Sequence, residues 1–169
     1  GIWTTTGTAR TAALTGLAYS TTYSWQVRAR NAVGTTDATA GTWWTFTTVA
    51  PPALGAFNKT APANAATGQG SAANATISLT WGASTNATSF EYCIDSTIIS
   101  LCDVTWTTTA ALATRSVAFT GFAYNTKYEW QIRARSAAGT TDANTGTWWT
   151  FPVTDSPKCH RRSGRAGRR

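Results

Sequence analysis

Apolar and polar residues alternate along much of this chain with a period of two. Ile77, Leu79 and Trp81 are separated by Ser78 and Thr80, while Tyr128, Trp130, Ile132 and Ala134 are separated by Glu129, Gln131 and Arg133. Successive side chains of a strand point to opposite faces, so the pattern predicts strands with one face in a core and one in water. On this basis strands lie around residues 54–57, 76–81, 90–94, 101–108, 112–119, 128–135 and 147–153. Turn-forming residues separate them: 82–85, Gly121, Asn125, Gly139 and 144–146, with a Gly-, Ala- and Asn-rich loop over 64–73. In the 128–135 strand, Glu129, Gln131, Arg133 and Arg135 are expected to face water.

The alternation occurs twice. Residues 10–46 align without a gap on residues 115–151, with 25 identities in 37 positions. The matched pairs include Tyr23/Tyr128, Trp25/Trp130, Gln26/Gln131, Arg28/Arg133, Arg30/Arg135 and Trp43-Trp44/Trp148-Trp149. Trp3 pairs with Trp106 at an offset of 103 rather than 105, so one connection is two residues longer in the second copy. A period near 105 is too long for a solenoid unit and suits a whole β-sandwich domain. Short strands at this spacing favour a sandwich over a βαβ fold.

The run from Phe119 to Arg135, with Tyr124, Tyr128, Trp130 and Ile132, resembles the E–F corner and F strand of a fibronectin type III domain. Ser78-Leu79-Thr80-Trp81 resembles its B strand, Phe90-Glu91-Tyr92 its C strand, and Trp149-Thr150-Phe151 its G strand. The resemblance implies an all-β, immunoglobulin-like (fibronectin type III) β-sandwich in tandem, the first copy incomplete. Tyr124 stands where that family often has proline. Tyr128, and Tyr23 in the first copy, suit a tyrosine corner, the hydroxyl bonding to backbone a few residues upstream.

The expected organisation is residues 1–49 as the C-terminal half of one such domain, a Pro linker at 50–53, a complete domain at 54–154, and a disordered basic tail at 155–169. A half-sandwich leaves Leu14, Leu17, Trp25 and Val27 half covered and its sheet edges open. The chain therefore reads as part of a longer repeat protein. The rival reading is a subunit completed by a strand from a neighbouring chain.

Composition alters this picture little. Charged residues make up 12% and the net charge is +7, but residues 158–169 hold six of the fourteen cations. The remainder carries eight cations against seven acids and is nearly neutral. The tail lacks interleaved aromatics, so specific nucleic-acid binding is not expected. No apolar run is long enough to span a membrane, and with no Met in the sequence Gly1 is not an initiator.

Cys93 and Cys102 are nine positions apart, and neither has a Cys or His near it in sequence; Cys159 and His160 sit in the tail. A disulfide is favoured over a metal site, which implies an oxidising compartment. Trp106, Trp148, Arg133 and Arg135 form a candidate binding face, repeated by Trp3, Trp43, Arg28 and Arg30. Exposed indoles stack on sugars or partner proteins, but repetition in both copies favours a guanidinium–indole ladder. Asp142 and Asn144 supply too few oxygens for calcium, and turn chemistry explains them. Sequons at Asn58, Asn74 and Asn86 arise easily in a Thr-rich chain. There is no catalytic constellation, no metal-ligand set and no cofactor motif.

The sequence thus points to a non-catalytic extracellular or cell-surface repeat region, acting as spacer, adhesion or protein-interaction module. Two alternatives stand beside it: a carbohydrate-binding accessory module of a secreted hydrolase, and a strand-complementing, polymerising subunit. Either a protein or a carbohydrate partner is compatible with these residues.

Overall fold

A computed structural model describes residues 2–70, 75–109 and 112–154. The basic tail with Cys159 and His160, and the sequon at Asn74, lie outside the described residues. The chain divides into two compact units, Gly1–Pro52 and Ala53–Arg169.

In the first unit, β1 (Thr22–Trp25) pairs antiparallel with β4 (Trp44–Thr47), and β2 (Arg28–Arg30) with β3 (Thr35–Asp37). The second unit opens with β5 (Lys59–Ala61), β6 (Ile77–Trp81), β7 (Ser89–Asp95) and β8 (Thr107–Thr108). It continues with β9 (Ser116–Phe119), β10 (Thr126–Ser136), β11 (Gly139–Asp142) and β12 (Trp149–Val153). One antiparallel sheet has the order β5-β6-β9; the other runs β11-β10-β7-β8, with β12 also paired to β10. The unit is an immunoglobulin-like sandwich. Its core joins Phe57, Ile77, Leu79 and Trp81 on one side to Phe90, Trp130, Ile132 and Phe151 on the other. Alternation explains the sorting: Ile77, Leu79 and Trp81 are buried, whereas Ser78 is exposed.

Several strands differ from expectation for identifiable reasons. Residues 54–57 contribute Phe57 to the core but form no strand. Gly55 instead donates its N–H to Thr85 O and accepts from Ser84 Oγ, and pairing begins at Lys59. Of residues 101–108, just Thr107–Thr108 pair, because Cys102 is tied to Cys93 and the preceding loop is held elsewhere. The 112–119 strand shortens to Ser116–Phe119.

One expectation fails outright. Glu129 and Gln131 do not face water; both are fully buried, whereas Arg133 is half-buried and Arg135 exposed. The loop closed by the disulfide covers Glu129, whose carboxylate accepts N–H bonds from Ile99 and Ser100. Gln131 is buried because β10 changes partners beside it, from β12 up to Trp130 to β11 from Arg133 onward. Its Nε2 donates to Thr147 O, and its Oε1 accepts from Ile132 N and from Lys59 Nζ. The side chain thereby bonds backbone that has no ladder partner at the interruption.

Candidate functional site

The repeated Trp–Arg face is built by β10 and the segments beside it. Glu91 on β7 lies opposite Arg133 in the ladder, and its buried carboxylate accepts from Arg133 Nε at 2.6 Å and Arg135 Nη1 at 2.7 Å. Burial pushes the Glu91 carboxyl up, but the two guanidinium groups more than offset this and hold it below the usual carboxylate range. The Arg133 guanidinium carbon lies 4.1 Å from the centroid of the Trp106 ring. Trp106 in turn meets Trp148 at 6.2 Å with the rings tilted by 55°. The four residues form one connected cluster around a buried acid. Both indoles are half-buried, and their tilt means that they offer no shared flat platform.

The first unit reproduces part of this arrangement. Arg28 lies 3.7 Å from the Trp3 centroid, and Trp3 meets Trp43 at 6.3 Å with a tilt of 51°. Among the described residues, neither Arg28 nor Arg30 has an acidic partner like Glu91. Trp3 and Trp43 are correspondingly more open, at 42% and 55% exposure.

The corner tyrosines lie five residues downstream of the backbone that they meet. Tyr128 Oη accepts from Ala123 N–H at 3.1 Å, and Tyr23 Oη from Ala18 N–H at 2.9 Å. Cys93 and Cys102 are joined by a disulfide, Cys93 being fully buried. Asn144 holds a left-handed conformation, donates its N–H to Phe57 O and accepts from Lys59 N. Its side-chain oxygen is therefore engaged by backbone.

Sequence reasoning missed Lys59. It is 3% exposed, and its Nζ donates to Thr147 O at 2.6 Å, Gln131 Oε1 at 3.0 Å and Trp130 O at 3.3 Å. It also lies 5.2 Å from the ring centroids of both Trp130 and Trp149. Burial lowers its pKa to about 7, against an upward pull from Asp142. The one signal for it is a lone lysine in a stretch, from Ala38 to Phe90, that holds no other charge. Asp95 is also buried, which raises its pKa, and Asp103 and Glu129 add to the effect. Among the described residues no group of three His, Cys, Asp or Glu side chains is placed to hold a metal. Among the described residues no helix is long and apolar enough to cross a membrane. A depression of about 400 Å³ lies between Ala83, Phe90, Leu112 and Arg115, with Arg115 its one charged group.

No protein-family model matches the chain. A curated relative, Endoglucanase B of Cellulomonas fimi, is 34% identical over 159 residues, which cover 90% of this chain. The chain spans 14% of that relative's length. Among solved structures, the FN1–FN3 domains of chicken CNTN1 match 82% of this chain and 45% of theirs, at 14% identity and a TM-score of 0.46. An Fn3-like protein from Clostridium thermocellum matches 62% of this chain and 95% of its own, at 20% identity and a TM-score of 0.38.

Proposed function

We propose that this chain, whose fold is a fibronectin type III-like β-sandwich preceded by part of another, is a non-catalytic spacer and interaction module of a secreted protein. The observation that carries this reading is the internal use of its most conspicuous surface. Arg133 is committed to Trp106 and Glu91, Arg135 to Glu91, and Trp106 to Trp148. Such contacts stiffen a sandwich, each cation–π pair contributing about 0.5–1 kcal/mol at an exposed site. The disulfide between Cys93 and Cys102 fits an extracytoplasmic setting.

A second reading is favoured by one observation, the similarity to part of an endoglucanase. There the chain would be an accessory module that holds an attached hydrolase on its polysaccharide, with Trp106 and Trp148 in contact with sugar. Sedimentation with insoluble cellulose separates the two. The spacer reading expects the same bound fraction for the parent chain, Trp148→Ala and an unrelated sandwich domain. Binding by the parent that Trp148→Ala abolishes, with the thermal midpoint unchanged, would establish the accessory-module reading.

A further inference from the structure

The two units carry the same core residues in opposite circumstances. Trp130, Ile132 and Phe151 are fully buried, whereas their counterparts Trp25, Val27 and Phe46 are 41%, 55% and 36% exposed. In the second unit those side chains lie beneath Phe57, Leu79, Trp81 and Phe90, all from the first half of the sandwich. The backbone repeats the contrast. β10 is hydrogen-bonded on both sides, to β7 along Glu129–Arg135 and to β11 and β12 on the other. Among the described residues β1 and β2 pair on one side only, with β4 and β3. The charges follow suit. Among the described residues Arg28 and Arg30 lack the acid that Glu91 supplies to Arg133 and Arg135. Gln26 repeats two bonds of its counterpart Gln131, donating to Thr42 O and accepting from Val27 N, and adds one to Ala38 O, but has no lysine beside it.

We propose that the open face and edge of Gly1–Pro52 dock the first half of a sandwich of the same repeat type, a polypeptide equivalent to residues 53–105 of this chain. The occupant brings a strand to the free edge of β1 and β2, since a row of unpaired N–H and C=O groups is answered by another backbone. It brings apolar residues onto Trp25, Val27 and Phe46. It places a lysine by Trp25, Trp44 and Gln26, as Lys59 stands by Trp130, Trp149 and Gln131. It places a carboxylate between Arg28 and Arg30. A second copy of this chain fits less well, because its own residues 53–105 are already buried in its second unit and would have to leave that core.

The test extends the full chain with a copy of residues 53–105 joined directly ahead of Trp3, the residue that matches Trp106. Hydrogen exchange read by mass spectrometry follows Thr22–Thr47 and Thr126–Val153 separately. The expected result is a slowing of exchange in Thr22–Thr47 by at least ~100-fold relative to the unextended chain, with Thr126–Val153 unchanged. Glu91→Gln within the appended copy is expected to reverse part of that slowing and to leave Thr126–Val153 unaffected. No slowing on extension overturns the proposal, and indifference to Glu91→Gln overturns the charge pairing. A stable dimer of the unextended chain with Thr22–Thr47 already protected also overturns it, by making a second copy the occupant.

Discussion

Lys59 joins a charge-bearing side chain to three acceptors, the carbonyls of Trp130 and Thr147 and the amide oxygen of Gln131. Three acceptors suit an ammonium, whereas burial favours the neutral amine and brings the pKa to about 7. A lysine whose folded pKa lies below its unfolded value of about 10.4 binds its proton more readily in the unfolded chain. Stability is then expected to rise with pH between about 7 and 10.4 and to be insensitive to this group at lower pH. Thermal melts should show a higher midpoint for the second unit at pH 9 than at pH 7, with the gain abolished in Lys59→Met. A flat profile in the parent would mean that the three acceptors keep the ammonium charged. Nearby, Thr145 sits at φ 52°, in the left-handed region that penalises a β-branched side chain, and it is exposed. Thr145→Gly relieves that strain and is expected to stabilise the second unit by about 1 kcal/mol, read from urea unfolding.

At the level of elements, the disulfide and the loop it closes decide what covers the outer side of β10. Cross-linking residues nine apart removes chain entropy from the unfolded state, so Cys93→Ala with Cys102→Ala is expected to cost roughly 2–3 kcal/mol by urea unfolding. Exchange at Ile99 and Ser100 should rise with it, since their amides are held on Glu129. This arrangement also marks the limit of what alternation could reveal. Ile77, Leu79 and Trp81 follow the pattern, because that strand has a core on one side and solvent on the other. Glu129 and Gln131 break it because a polar side chain can be buried on the outer face when backbone donors and acceptors meet it there. Nothing in a period of two encodes that the G-strand region is split by a left-handed turn at Asn144–Gly146, or that Gln131 bonds across the split. The grouping of Trp106, Trp148, Arg133 and Arg135 was legible from the repeat. Their attachment to Glu91 was not, since it depends on the register of β7 against β10.

For the molecule as a whole, the duplication supplies an internal control, because one residue can be removed from two settings. Trp130 is fully buried and packs edge-on against Trp149 at 6.0 Å; Trp25 meets Trp44 in the same manner at 5.6 Å but remains 41% exposed. The local aromatic pairing is thus common to both, and what differs is the rest of the core. Trp130→Ala should lose the transfer energy of a whole indole and leave a cavity, at a cost of about 3–5 kcal/mol. Trp25→Ala leaves no enclosed cavity and should cost about 1 kcal/mol or less. Residue-resolved hydrogen exchange in the parent and both variants measures each unit separately. Equal costs at the two positions would mean that Trp25 is covered in solution by something equivalent to Phe57, Trp81 and Phe90. Unequal costs would show that the repeated sequence reaches full stability only where both halves of a sandwich are present. Burial, more than residue identity, then sets what each tryptophan contributes.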